Sequence, residues 1–199
     1  MQLADWICRE GQVVSEQFLR VDGFLNHRID PSFIEHSGRL IADRFLDSAV
    51  TLVLTAEAAG NVVAYEIARR LRARAVYAKK GRASTMTHPV TRKIFSPTKG
   101  KVVELSICKD YLGESERVLI IDDFLYEGTT SAALAEMVQE TGAMVVGFAF
   151  IIEKGFAGGR DKLAVYGEPV ESLLCVEDMD PETGKITFSV AASGASGTP

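Results

Sequence analysis

Residues 118–143 read VLIIDDFLYEGTTSAALAEMVQETGA, and this stretch decides the fold class. Val118 to Ile121 predicts a buried strand, because four apolar and mostly β-branched residues stand together. Asp122 and Asp123 follow directly, and after a short turn that contains Gly128 the segment Thr129 to Thr141 predicts a helix. A strand that leads through a glycine turn into a helix is the repeating unit of an α/β fold.

The sequence on both sides continues this alternation. Further helices are expected over 1–10, after the capping pair at 30–31, over 62–71 and over 161–166. Further strands are expected within 13–21 and over 52–54, 75–78, 102–107, 144–152, 170–174 and 186–190. The segment 79–101 contains two prolines and two glycines and is interpreted as a long loop. We therefore predict an α/β protein with a largely parallel central sheet flanked by helices, whose ligand lies at the loops after residues 54, 78 and 121.

Composition places the chain among ordinary globular proteins of one domain. It has 199 residues, of which 47% are hydrophobic and 25% are charged. No apolar run approaches the ~18 residues that cross a bilayer, and the first residues lack the features of a signal peptide, so we expect a cytoplasmic protein that does not contact a membrane. Three cysteines and three histidines are scattered, which argues against a disulfide framework and against a His/Cys metal site.

The formal net charge of −5 is unevenly distributed. Eleven Lys/Arg and no Asp/Glu lie between Arg69 and Lys101. The acidic remainder disfavours nucleic acid as a partner, whereas the local positive stretch suits a small polyanion. Arg69, Arg70, Arg72 and Arg74 lie on or just after a predicted helix and are interpreted as a solvated face or a dimer surface.

The segment 118–143 also carries the residues of a binding site. The start of a helix offers free backbone N–H groups and the positive end of the helix dipole, and Gly128 allows a phosphate to approach closely. The hydroxyls of Thr129 and Thr130 can add donors. Asp122 and Asp123 can accept hydrogen bonds from a sugar diol or hold a hard cation through water. The combination suits a sugar phosphate, and the alternative is an acidic pair at a strand end followed by an ordinary threonine cap.

Four apolar residues, two acids, two apolar residues and a Gly/Thr loop resemble the phosphoribosyl pyrophosphate (PRPP) signature of type I phosphoribosyltransferases. The resemblance implies that Asp122 and Asp123 hold the ribose hydroxyls as the catalytic pair. It implies that the loop binds the 5-phosphate through residues 126–130, which are Tyr126, Glu127, Gly128, Thr129 and Thr130. Tyr126 stands where a small residue is usual and Glu127 where Thr is frequent, so the Glu127 carboxylate is expected to point away from the phosphate.

Further stretches resemble the bacterial branch of this family that uses xanthine. They are RVDGFLNHRIDP (20–31), TAEAAG (55–60), AKKG (78–81), FSPTK (95–99) and IIEKGFAGGRDKL (151–163). The resemblance implies three xanthine-binding residues, Leu19, Asn26 and Lys154. It also implies a pyrophosphate site made of Ala58, Ala59, Gly60, Lys79 and Lys80, with a loop over 81–101, including Phe95 and Ser96, that closes over the site.

The same resemblance implies the partners and the domain plan. The substrates would be xanthine and PRPP, with Mg2+ held by PRPP and waters and by no direct protein ligand, in a homodimer. One domain would span residues 1–190, with a core over 31–155, a base-binding hood formed by the N- and C-terminal segments 1–30 and 156–190, and a disordered tail over 191–199. Two alternatives stay open: transfer to guanine, hypoxanthine, adenine or orotate, and a regulator of the same fold that senses PRPP.

Overall fold

Eight strands form one central sheet in the computed structural model, which describes residues 2–81, 84–96 and 100–189. A separate small hairpin consists of β1 (Gln12–Val13) and β2 (Leu19–Arg20). The strands of the sheet are β3 (Leu52–Ala56), β4 (Arg74–Lys80), β5 (Pro89–Ser96), β6 (Lys101–Cys108), β7 (Arg117–Leu125), β8 (Met144–Lys154), β9 (Val170–Met179) and β10 (Ile186–Ser189).

The strand order is β10-β9-β8-β7-β3-β4-β6-β5. The five strands from β9 to β4 are parallel, whereas β10 pairs antiparallel with β9, and β6 pairs antiparallel with β4 and β5. The predicted α/β fold with a largely parallel sheet flanked by helices is therefore confirmed. The carboxyl ends of β3, β4 and β7 lie side by side, which brings together the three loops expected to hold the ligand.

Among the described residues, five α-helices flank the sheet: α1 (Leu3–Glu10), α2 (Pro31–Arg44), α3 (Gly60–Leu71), α4 (Thr129–Glu140) and α5 (Gly159–Ala164). The predicted start of α2 is confirmed, because the Asp30 carboxylate accepts hydrogen bonds from the backbone N–H of Ser32, at 2.9 Å, and of Phe33. In the described part of the chain no helix is long and apolar enough to cross a membrane.

The sheet has a hydrophobic core on each face. Leu119 and Ile121 of β7 contribute to the core beneath α1, α2 and α3, and Val118 and Ile120 to the core beneath α4 and α5. All four side chains are fully buried. A parallel strand covered on both faces is apolar at every position, which is why these four residues show no alternation in the sequence.

The interpretation of residues 79–101 as one long loop was wrong. Residues 89–96 form β5, which pairs along its whole length with β6, and Lys79 and Lys80 end β4. Val90 and Ile94 are buried on the face of β5 that meets α4. Arg92 stands between them and makes ion pairs with Glu136 and Glu140 of α4. A charged residue at an inward-facing position hides the alternation of an otherwise ordinary strand.

Parts of the predicted tail and of the predicted closing loop fall outside the described residues. The tail predicted over 191–199 lies outside them, as do residues 82–83 and 97–99 of the predicted closing loop.

Candidate active site

The turn between β7 and α4 gives the site its shape. Gly128 precedes α4 with φ +70°, in the left-handed region that side chains other than glycine rarely adopt. A Cβ atom at this position would also lie 2.9 Å from the carbonyl oxygen of Gly159. The helix begins at Thr129, and its first internal hydrogen bond joins the Ala132 N–H to the Gly128 carbonyl, at 2.9 Å. As at the start of any α-helix, the amides of the first turn therefore have no acceptor within the helix.

The start of α3 lies against the carboxyl ends of β3 and β7. A Cβ atom on Gly60 would approach the Thr55 hydroxyl to 2.0 Å and the Asp122 Oδ1 to 3.1 Å, so no larger residue fits there. Ala58 and Ala59 form the turn that precedes this glycine, and the Glu57–Ala58 peptide is cis. The predicted pyrophosphate turn therefore lies beside the acidic pair.

Burial and the neighbouring charge of Asp123 determine the pKa of Asp122. Asp122 accepts a hydrogen bond from the backbone N–H of Asp123, at 3.0 Å. Burial, and secondarily the charge of Asp123, raise the pKa of the Asp122 carboxyl well above its usual range, and the nearby Lys80 ammonium opposes that rise. The raised pKa makes Asp122 a better proton acceptor than an ordinary aspartate, and a nearby cation or cationic sugar would favour its charged form.

A cavity of about 710 Å³ connects the acidic pair to the hairpin region of the N-terminus. Its walls are Gln17, Phe18, Leu19, Asn26, Phe95, residues 122–131 and Lys154. The predicted ribose residues, the predicted phosphate loop and the three predicted base residues thus share one cavity, although they come from three distant parts of the chain. Glu127 is among the lining residues, but it is exposed to solvent.

Lys154, the last residue of β8, lies at the end of the cavity next to the N-terminal hairpin. Its ammonium donates to the Gln17 carbonyl and lies over the rings of Phe18, Phe124 and Tyr126, with 5.2 to 5.5 Å to the ring centroids. Burial lowers the pKa of Lys154. An ammonium among aromatic faces is suited to a flat ring that carries negative charge.

The two predicted lysines of β4 lie in different places. Lys80 is near enough to Asp122 to influence its pKa, and its backbone N–H donates to the Glu57 carboxylate at 2.6 Å. Lys79 lines a second cavity of about 580 Å³, together with Cys108 and Tyr111. The structure thus brings Lys80, but not the side chain of Lys79, to the acidic pair.

Some residues of the site have no counterpart among the sequence predictions. Phe18 and Phe124 face the Lys154 ammonium, and Lys162 of α5 donates from Nζ to the Thr129 hydroxyl at 3.0 Å. The aromatic residue next to Leu19 was a usable signal for Phe18. No such sequence signal exists for Lys162, because it is 33 residues from Thr129 and the contact arises only from the packing of α5 on α4.

The donor set suits a magnesium ion that is bound mainly by its substrate. Within residues 2–81, 84–96 and 100–189 no group of three or more His, Cys, Asp or Glu side chains converges on one point. Mg2+ commonly keeps several waters and takes one or two carboxylates together with substrate phosphates. Asp122 and Asp123 at the cavity wall match that demand as acceptors from the metal's waters.

Sequence comparisons with known proteins consistently find phosphoribosyltransferases. Residues 28–180 match the model of the phosphoribosyl transferase domain. A xanthine phosphoribosyltransferase of Heliobacterium modesticaldum is 41% identical over 188 residues, which are 94% of this chain and 99% of the relative. A xanthine phosphoribosyltransferase of Pseudomonas entomophila is 40% identical over 183 residues, which are 92% and 95% of the two chains.

The fold is similar to that of solved adenine phosphoribosyltransferases. The enzyme from Thermoanaerobacter pseudethanolicus is 28% identical, with a TM-score of 0.65 over 73% of this chain and 82% of that one. The APRTase from Giardia lamblia, solved with 9-deazaadenine, is 20% identical, with a TM-score of 0.75 over 88% and 98% of the two chains, and this second likeness concerns the fold alone.

Proposed function

Because the chain belongs to the phosphoribosyltransferase family, whose members are pentosyltransferases, we propose that it transfers the 5-phosphoribosyl group of PRPP to xanthine. The products would be XMP and pyrophosphate, which is a purine-salvage reaction. The observation that carries the choice of base is Lys154, a buried ammonium among three aromatic rings in the same cavity as the acidic pair and the start of α4.

The ribose and its phosphate occupy the part of the cavity next to β7. Asp122 and Asp123 accept hydrogen bonds from the ribose hydroxyls, and the amides at the start of α4 hold the 5-phosphate. Tyr126, Glu127, Gly128, Thr129 and Thr130 form the loop around that phosphate. The glycine turn supports this assignment, because it leaves the first-turn N–H groups open to the cavity.

The base occupies the end of the cavity that Leu19, Asn26 and Lys154 line. Xanthine is more acidic than the 6-oxopurines that lack its 2-oxo group, so a desolvated ammonium favours it through charge. Asn26 can donate and accept toward the edge of the ring. Leu19 and the neighbouring aromatic side chains supply apolar contact with its faces.

The leaving pyrophosphate lies toward the turn of Ala58, Ala59 and Gly60 and toward the carboxyl end of β4, where Lys79 and Lys80 stand. Lys80 supports this placement through its closeness to Asp122. Asp122 and Asp123 would hold Mg2+ through its waters, and the bound ion would neutralise charge on the leaving group.

The reaction breaks the bond between the anomeric carbon and pyrophosphate and forms a bond from that carbon to a ring nitrogen of xanthine. The sugar passes through a state with oxocarbenium character, whose positive charge the acidic pair stabilises. We assign no general base, because the acidic xanthine loses its ring proton readily. Closing the cavity would exclude water, which competes with the base as nucleophile.

A steady-state assay of pyrophosphate release with PRPP and Mg2+ tests the proposal. Xanthine, guanine, hypoxanthine, adenine and orotate are compared at equal enzyme concentration. We expect the highest kcat/KM with xanthine. A higher value with another base would leave the family in place and overturn the proposed specificity.

The homodimer implied by the family resemblance and the cytoplasmic location expected from the composition remain part of this proposal. Light scattering coupled to gel filtration tests the first, since a particle of about twice the chain mass of 21.6 kDa is expected.

A further inference from the structure

The segment that forms the phosphate loop contains no basic residue of its own. Residues 118–143 include five acids and neither Lys nor Arg. Three of the acids, Asp122, Asp123 and Glu127, line the cavity. A phosphate monoester brings a further charge of about −1.5 to −2 at neutral pH. The helix dipole contributes only about half a positive charge at its start, so a cation from another part of the chain is needed.

Lys162 is placed to supply that cation. Its Nζ lies 3.0 Å from the hydroxyl of Thr129, the first residue of α4. A cation at this point stands beside the open amides of the same helical turn. Resting on the proposed function, we infer that Lys162 is a binding residue for the 5-phosphate of PRPP and of the nucleotide product.

The backbone that carries Lys162 is held firmly against the loop. Leu163 is fully buried in the core that α4 and α5 share. The Tyr166 hydroxyl donates to the Ala132 carbonyl in the first turns of α4, at 3.1 Å. At the other end of α5, a Cβ atom on Gly159 would lie 2.1 Å from the Tyr126 carbonyl oxygen. With both ends of α5 in contact with the loop and its helix, only the lysine side chain has to move to reach a phosphate.

An ion pair fixes the N-terminal end of α5 to the sheet. Arg160 donates from Nε and one terminal nitrogen to the buried carboxylate of Glu153 in β8. The Ser172 hydroxyl of β9 donates to the same carboxylate at 2.6 Å. Arg160 is therefore occupied by a structural role, and it does not compete with Lys162 for the phosphate.

The two other lysines near the site serve different parts of it. The Lys154 ammonium donates a hydrogen bond to the Gln17 carbonyl and lies among aromatic rings, and the Lys80 ammonium opposes the rise in the pKa of Asp122. The ion pairs found among the described residues do not include one between Glu127 and Lys162. The Lys162 ammonium is held by a neutral hydroxyl, which a phosphate oxygen can replace at little cost.

Calorimetric titration of XMP and of xanthosine, which lacks the phosphate, tests the inference. The proteins are the wild type, Lys162→Ala, Lys162→Arg and the control Lys185→Ala, which removes an exposed lysine from the turn before β10. We expect Lys162→Ala to weaken XMP binding by about five- to twentyfold, as for the loss of one charged hydrogen bond at an accessible site. Xanthosine binding should be unchanged, Lys162→Arg should keep most of the affinity, and Lys185→Ala should match the wild type.

The outcomes separate this inference from the proposed function. A wild type that binds neither ligand and releases no pyrophosphate from PRPP overturns the proposed function, and the inference with it. A wild type that is active and binds XMP, with an equal affinity in Lys162→Ala, overturns the role of Lys162 alone. Equal weakening of XMP and xanthosine by Lys162→Ala also overturns it, because the effect would then not depend on the phosphate.

Discussion

Replacing Gly128 by alanine tests whether PRPP binding depends on the backbone shape of the phosphate loop more than on its hydroxyls. Gly128 has φ +70°, and an added Cβ would lie 2.9 Å from the Gly159 carbonyl oxygen. Gly184 provides a matched control, because it has φ +72° and no atom within 4 Å of an added Cβ. Both alanine variants therefore introduce the same left-handed backbone strain, and only the variant at Gly128 also introduces a close contact.

The expected magnitudes follow from these two terms. Left-handed backbone at a residue other than glycine costs roughly 1–2 kcal/mol, and the smaller conformational freedom of the unfolded chain returns about 0.4–1 kcal/mol. Gly184→Ala should therefore lower the free energy of unfolding by about 1 kcal/mol. At Gly128 the crowded neighbour is backbone, so α5 or the loop has to shift, and such overpacking adds roughly 1–3 kcal/mol. Gly128→Ala should lose about 2–4 kcal/mol in all.

Urea unfolding and steady-state kinetics check the prediction together. Gly128→Ala should raise KM for PRPP at least about tenfold, because the first-turn amides move with the loop, while KM for xanthine changes little. Gly184→Ala should keep both constants. If Gly128→Ala is no less stable than Gly184→Ala and keeps the KM for PRPP, the tight contact with Gly159 does not shape the phosphate site.

Three further predictions concern charge. Because the folded-state pKa of Asp122 is raised, the native protein binds more protons than the unfolded chain, and its stability falls as pH rises through that pKa. Asp122→Asn should therefore raise Tm at pH 8 while it lowers kcat at least about a hundredfold. An unchanged kcat would contradict the ribose assignment. Lys154→Met should raise KM for xanthine at least about tenfold and that for PRPP less than about twofold, and equal effects would remove Lys154 from base selection. The pKa of Glu66 is lowered mainly by Arg69 and also by Arg70, so the stabilisation from this ionised carboxylate is present above the unfolded-state pKa and is lost as pH falls through the folded-state pKa. Glu66→Gln should lower the free energy of unfolding at pH 7, measured in urea, by about 1–2 kcal/mol, and this loss should shrink as the pH is lowered through the acidic range.

The sequence predicts the sheet best where both faces are covered. Val118 to Ile121 is apolar throughout because each face of β7 meets a core, and a run of this kind is visible without any structure. The strand β5 is different, since one of its inward positions holds Arg92. Glu136 and Glu140 on the facing helix compensate the charge of this half-buried arginine, and that arrangement is tertiary.

The same distinction applies to the site. Asp122, Asp123 and Gly128 could be predicted because strand, acids, glycine and helix follow one another within a dozen residues. The cavity that joins them to Leu19 and Lys154 depends on how the N-terminal hairpin packs over β7 and β8. The separation of Lys79 from Lys80 depends on the alternation of side chains along β4. The first feature has no local signal in the sequence, and the second was missed because the strand predicted over 75–78 extends to Lys80 in the structure.

The number of basic residues along the chain is a poor guide to where the site is positively charged. Arg69 and Arg70 are paired with Glu66, Arg74 with Glu116, and Arg92 with two acids of α4, so four of the eleven bases in the basic stretch are compensated by acids outside it. Of the three lysines that the structure brings to the proposed ligands, only Lys80 at the end of β4 belongs to this stretch, and the other two come from the end of β8 and from α5. In the proposed assignment each serves a different part of the substrates: Lys80 the pyrophosphate, Lys154 the base and Lys162 the 5-phosphate. Because these three lysines have no contact partner in common, substituting one of them should weaken mainly one part of ligand recognition and largely spare the other two.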